Sequence, residues 1–308
     1  MLNHLFKKML LIIVLLSPLS LNAASFSGMV VFGDSLSDSG NLAALPNYAF
    51  LNQPPYQHGF NNGLPAVAQL AQLLNLPLNP ALYLTGQIVG NNFAVAGARA
   101  AGNSAIDLSN QVNTFLGNQA GQAPADKLYI IFIGGNDIRD MRNQTNDTQA
   151  TALLNSASTN IKTALTKLID AGAKNILVVN APDIGMIPET QLLAAAYNNP
   201  ALITKATENT TDFNKKLAQT VALIEKKKAV DIIVFNLKGF FNSLAKNNKA
   251  YLFDNTKQAC YSSDTFHYYP PCDATTMDSF LFFDEIHPSQ RVHQRLGRAL
   301  FAIVPEAN

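Results

Sequence analysis

Five short apolar runs of strand character recur along this chain, at 29–32, 91–98, 127–133, 175–180 and 231–236, and stretches of helical spacing separate them. The run at 127–133, Lys-Leu-Tyr-Ile-Ile-Phe-Ile, carries the strongest strand signal and ends in Gly134-Gly135-Asn136-Asp137. Between the runs, residues 64–74 repeat apolar side chains at helical spacing, with Pro65 suited to a first turn. A long helix is expected over 147–171, its stripe formed by Ala152, Leu153, Ala157, Ile161, Leu165 and Leu168 and its end marked by Gly172. A helical region over 189–227 breaks near Asn198-Asn199-Pro200, a short helix is expected near 240–246, and a last helix starts at Pro288 and runs to near Ile303. Parallel neighbours need helical crossovers, so this alternation predicts an α/β protein built as a three-layer α/β/α sandwich around a five-stranded parallel sheet. No repeat or linker-like shift divides the chain, and one domain is expected over 25–308.

Residues 1–24 read as an export leader. Lys7 and Lys8 precede the apolar run 9–16, which Ser17-Pro18 and small residues up to Ala23-Ala24 follow. That run is too short to span a bilayer, and no later stretch reaches the roughly 18 apolar residues a span requires, so a secreted protein without a transmembrane segment is expected. Without the leader, 20 basic and 21 acidic residues remain, a balance that offers no basic face to nucleic acid. The chain has two cysteines, Cys260 and Cys272. In an oxidising compartment such a pair reads most simply as one disulfide. A metal site is the other reading, but neither CxxC nor HExxH accompanies the pair.

The first run leads into Gly33-Asp34-Ser35-Leu36-Ser37-Asp38-Ser39-Gly40-Asn41. Ser35 therefore stands where a strand breaks into a tight turn, at the carboxyl end at which open α/β sheets present their chemistry. Ser, Asp, Gly and Asn are also ordinary turn residues, and the string alone is compatible with a plain turn. A reactive serine needs a base, an acid behind the base, and donors for the oxyanion. Near the C-terminus, Asp284-Glu285-Ile286-His287-Pro288 places an acid three residues before a histidine, close enough to fold back onto the imidazole. Its plainer reading is a helix cap beside a loop histidine. Three donor candidates follow different strand runs: the backbone N–H of Ser35, the backbone N–H of Gly97, and the side-chain amide of Asn136.

Four blocks in this order, 33–37, 92–98, 134–138 and 284–288, resemble those of the GDSL or SGNH hydrolase family. The resemblance implies a flavodoxin-like sandwich, with Ser35 as nucleophile, His287 as base, Asp284 behind it, Ser35, Gly97 and Asn136 at the oxyanion, and no cofactor. Ala96 departs from the pattern, since many relatives carry a second glycine there. The GDSLSDSGN opening, the FFDEIHPS block, the leader and the cysteine pair further resemble the secreted bacterial lysophospholipase A and glycerophospholipid:cholesterol acyltransferase branch. That likeness implies a lysophospholipid substrate, transient contact with a membrane surface, and a sterol acceptor if acyl transfer replaces hydrolysis. Carbohydrate deacetylation, and a catalytically silent surface-binding module, are the other functions this sequence admits. Two details carry lesser expectations: the run 280–283 as an acyl-groove wall or a buried support, and the 260–272 ring as an aromatic flap or a plain stapled loop.

Overall fold

A computed structural model describes residues 26–304; the expected leader lies outside them. Strands β1 (Gly28–Gly33), β2 (Lys127–Phe132), β3 (Asn175–Val179) and β4 (Ile232–Phe235) form one parallel sheet in the order β1-β2-β3-β4. β1 is buried along its whole length, and β2 and β3 are buried beyond their first residues. Near-continuous Val, Ile and Phe is what a strand covered on both faces requires.

Among the described residues the sheet has four strands where the sequence predicts five. The segment at 91–95 does run parallel to the free edge of β1, with Phe93 N–H donating to the Val31 carbonyl at 2.7 Å and Val95 N–H to that of Gly33 at 3.1 Å. It forms isolated bridges and not a ladder, because Gln111 Oε1 takes the Gly33 N–H at 2.8 Å that a further rung would give to the Phe93 carbonyl, and asparagine side chains cover the segment's other edge. Asn41 Nδ2 donates to the carbonyls of Asn92 and Ala94, and Asn92 Oδ1 accepts the Ala94 N–H. Counting this segment as the second strand in chain order, the spatial order becomes 2-1-3-4-5, the flavodoxin-like arrangement. The winding direction reverses at β1, so ligands are expected beyond the carboxyl ends of β1 and β2.

Right-handed crossovers on either side of that reversal send helices to opposite faces. α1 (Ala66–Leu73) packs on α8 (Gln290–Phe301). On the other face α2 (Leu108–Asn118), α4 (Asp147–Asp170) and α6 (Ala201–Lys228) pack in series, with α3 (Gly135–Asn143) against α4 and α6. α4 matches its expected span. Asn146 caps it by accepting the Gln149 N–H, and Gly172 ends it at φ +117°. The break at Asn198-Asn199-Pro200 separates α5 (Pro188–Ala196) from α6. α7 (Leu237–Lys246) is the short helix, and α8 begins two residues after Pro288. α2 and α3 were not legible: α3 opens on Gly-Asn-Asp, which reads as a turn, and carries only Ile138 and Met141 as an apolar stripe.

A second sheet pairs β5 (Asn255–Ala259) with β6 (Phe280–Phe282) in parallel. The ring closed by the Cys260–Cys272 disulfide lies between them in sequence, as the cysteine pair predicts. Tyr56, Tyr261 and Phe283 meet beneath it in a separate aromatic core, with Tyr261 stacked on Phe283 at 5.8 Å.

Candidate active site

β1 delivers Ser35 to the edge of the sheet. Asp34 shapes the turn: its carbonyl accepts the N–H groups of Ser37 and Asp38, and its Oδ1 accepts that of Leu36. Ser35 Oγ lies 2.8 Å from His287 Nε2, across 252 residues of sequence. His287 Nδ1 faces the Asp284 carboxylate at 2.8 and 2.9 Å. Asp284 Oδ1 also accepts the backbone N–H groups of Ile286 at 2.8 Å and His287 at 2.7 Å, so one carboxylate builds the loop and orients the ring. The acid and the histidine thus fold back on one another, and the capping alternative does not describe Asp284. Phe60 stacks on the imidazole at 5.2 Å with 14° between the planes.

The three oxyanion candidates come from the expected turns. Neither Ser35 N–H nor Gly97 N–H has an acceptor among the described residues. Gly97 adopts φ +85°, which favours glycine; Ala96 before it does not, so a side chain is tolerated there. Asn136 sits in the first turn of α3 and spends one amide hydrogen on the Ala98 carbonyl at 3.0 Å, leaving the other free.

Two buried aspartates lock the Gly97 loop in place. Asp38 Oδ2 accepts the Ala96 N–H at 2.9 Å, and Asp137 accepts those of Ala100 and Ala101 at 2.9 and 2.7 Å. Gln111, from α2, holds the end of β1 by accepting the Gly33 N–H and donating to its carbonyl. These long-range ties carry no local sequence signature. Gly134 at the N-cap of α3 has φ +129°, and a Cβ there would stand 2.4 Å from the Phe213 ring.

Burial pushes the Asp34 carboxyl up to about 7, with Asp137 adding to the rise and the Leu36 N–H and His287 opposing it. Burial likewise pushes Asp137 up to about 6, against the pull of two backbone N–H donors. A folded-state pKa above the unfolded value favours the protonated fold. The stabilisation is therefore complete below about 4 and is lost as pH rises through 6 and 7. Between pH 5 and pH 8 the wild type should accordingly lose unfolding free energy relative to Asp34→Asn, measured by urea titration. Parallel pH profiles for the two proteins would contradict this.

Among the other histidines, His293 is buried, accepts the Ala66 N–H at Nδ1 and joins α8 to the start of α1; burial holds its pKa down at about 3. His58 and His267 lie in exposed loop contacts.

A hydroxyl, imidazole and carboxylate joined in series at the carboxyl edge of a parallel sheet, beside unspent N–H donors, define a serine ester hydrolase. The model of the GDSL-like lipase/acylhydrolase family matches residues 29–300, and the chain belongs to that family. It is a carboxylic ester hydrolase of the GDSL esterase/lipase type. A GDSL esterase/lipase of Arabidopsis thaliana is 24% identical over 88% of this chain and 87% of its own length. The thermolabile hemolysin of Vibrio parahaemolyticus is 27% identical over 88% of this chain, which spans 62% of that protein. Among solved structures, an acetylxylan esterase of Geobacillus stearothermophilus superposes at a TM-score of 0.47, with 15% identity, over 90% of this chain and 95% of its own.

Proposed function

We propose that the chain is an exported lipid-ester hydrolase acting on lysophospholipids, with Ser35 as its nucleophile. One observation carries this reading: the cleft beside Ser35 and His287 has a largely apolar lining. Ile184, Ile187, Phe241, Phe282 and Ile286 line it together with Ser35, Asn136 and His287, and Asp34, Arg139 and Asp183 are its charged lining. Of the run 280–283, only Phe282 reaches this cleft; Leu281 joins the main core and Phe283 the aromatic cluster. The run therefore supports the site more than it forms an acyl groove.

In this mechanism Ser35 Oγ attacks the acyl carbonyl carbon while His287 Nε2 takes its proton, and Asp284 stabilises the imidazolium. The developing oxyanion is received by the N–H groups of Ser35 and Gly97 and by Asn136 Nδ2. Collapse expels the leaving alcohol, which receives the proton from His287. Water, activated by the same ring, then releases the acyl group from Ser35. A disulfide suits the oxidising compartment to which the leader at 1–24 would direct the chain. Likeness to a protein named a hemolysin is in keeping with a membrane-lipid substrate. The decisive assay is fatty-acid release from lysophosphatidylcholine, with and without cholesterol, beside release of acetate from acetylated sugars. Release only from the sugars would replace the lipid reading with deacetylation, and cholesteryl ester formation would replace it with transfer.

Contact with a lipid surface is assigned to the aromatic tips of two loops. Phe50 and Phe266, 37% and 52% exposed, meet edge to face at 5.6 Å and connect through Phe60 to the His287 ring. The loop bearing Phe266 is anchored at its base, where Glu285 accepts the hydroxyls of Ser263 and Tyr269. A flap that swings as a whole would have to break these contacts. Phe50→Asp and Phe266→Asp should lower hydrolysis of vesicle-borne lysophospholipid roughly tenfold, about 1.4 kcal/mol of lost aromatic burial. A soluble short-chain ester should be unaffected; equal losses on both substrates would refute surface docking.

A further inference from the structure

We propose that Arg139 is a positioning residue that fixes and polarises the Asn136 amide at the oxyanion site. The inference rests on the assignment of Asn136 as an oxyanion donor. Arg139 follows Asn136 by one turn of α3, and its Nη1 donates to Asn136 Oδ1 at 3.0 Å. On the other side of the same amide, Nδ2 donates to the Ala98 carbonyl at 3.0 Å. Exchanging the amide oxygen and nitrogen would set donor against donor at Arg139 and acceptor against acceptor at Ala98. The two contacts therefore admit one orientation, and in it the second Nδ2 hydrogen is unspent. A guanidinium on Oδ1 also draws electron density from the amide, making Nδ2–H a stronger donor as negative charge develops on the substrate oxygen.

Arg139 is itself held. Glu189, near the start of α5, takes its Nε at 2.8 Å and pairs with its Nη2. Glu189 also pairs with Arg142 at 2.9 Å, and Arg142 is buried and donates to Thr190 Oγ1 at 2.6 Å. The backbone N–H of Glu189 donates to the Glu285 carbonyl at 2.7 Å, beside the Asp284 that orients His287. One carboxylate residue thus joins the donor side of the site to the base side. The planar fork of arginine can serve Glu189 and Asn136 together; a lysine ammonium has one nitrogen and cannot span both.

The test is a double-mutant cycle on hydrolysis of p-nitrophenyl butyrate, reading kcat and KM separately. Asn136→Ala should lower kcat by about 100-fold, as loss of one oxyanion donor does. Arg139→Met should lower kcat by roughly tenfold, with KM little changed, and should have no further effect in the Asn136→Ala background. An equal loss in both backgrounds would overturn the proposal, because Arg139 would then act on the fold and not through Asn136. So would an unchanged kcat in Arg139→Met. If Asn136→Ala itself retains full kcat, the oxyanion assignment fails and this inference fails with it, a result distinct from the other two. Should Arg139→Met not fold, Arg139→Lys keeps a charge beside Glu189 and is read in the same cycle. A smaller kcat loss that vanishes with Asn136→Ala would support the proposal.

Discussion

Ser35→Ala should abolish ester hydrolysis, with kcat falling by roughly 10^5 to 10^6 as in serine hydrolases stripped of their nucleophile, while the fold stays intact. The change deletes one hydroxyl whose hydrogen-bond partner is His287 Nε2, and it leaves the Asp34 turn and the Asp284 loop untouched. A fluorophosphonate probe should label the wild type and not the variant, with matching far-ultraviolet circular dichroism. His287→Ala should fall comparably. Asp284→Asn should cost about 10^4 with the loop kept, because the amide oxygen can still accept the Ile286 and His287 N–H groups while the amide nitrogen faces His287 Nδ1 and favours the wrong tautomer. Labelling of the Ser35→Ala protein would mean that the reactive hydroxyl lies elsewhere, and the catalytic reading would fall. A full-length wild type that resists the probe, with its site intact, would favour the silent binding module.

The largest expected effect on stability lies at Asp38, whose side chain never meets substrate in this mechanism. Its Oδ1 accepts the N–H groups of Gly40 at 2.9 Å and Asn41 at 2.8 Å, and its Oδ2 those of Leu42 at 3.2 Å and Ala96 at 2.9 Å. Burial pushes the carboxyl pKa up while the four donors pull it down. Asp38→Ala would leave four buried donors without an acceptor, at about 1–3 kcal/mol each. Allowing for relaxation and entering water, about 4 kcal/mol should be lost, a large share of the ~5–15 kcal/mol of a typical domain. Asp38→Asn should lose about half as much, since Oδ1 can still serve Gly40 and Asn41 while the amide nitrogen opposes Leu42 and Ala96. Urea denaturation midpoints decide the matter; a loss under about 1 kcal/mol for the alanine variant would show that water replaces the carboxylate without difficulty.

The strands and long helices were legible because their signals are local: β1, β2 and β3 are runs of apolar residues, and α4 and α6 repeat at helical period. The four site blocks were legible for another reason. Turn chemistry has to be spelled in Gly, Asp, Ser and Asn, so residue identity survives where periodicity is silent. What no local pattern encodes depends on partners distant in sequence. Gln111 clasps the end of β1 from 78 residues away, and Arg139 meets Glu189 across 50. Phe60, in a loop of mixed composition, roofs an imidazole more than two hundred residues further on. The missing fifth strand belongs to the same class. Residues 91–95 have a strand's composition, but Gln111 takes the Gly33 N–H that would extend their ladder on β1, a contact that no window of sequence displays.

The stack of Phe60 on His287 has a stereochemical consequence. One face of the imidazole is covered by the Phe60 ring, and the Ser35–His287 pair meets an ester from the cleft that the start of α3 also lines. That approach presents one prochiral side of the acyl carbon to the attacking oxygen and sends the leaving alcohol along a single path. The enzyme should therefore resolve racemic secondary-alcohol esters, and trimming Phe60 to alanine should erode that enantiomeric preference more than it slows turnover of an achiral ester.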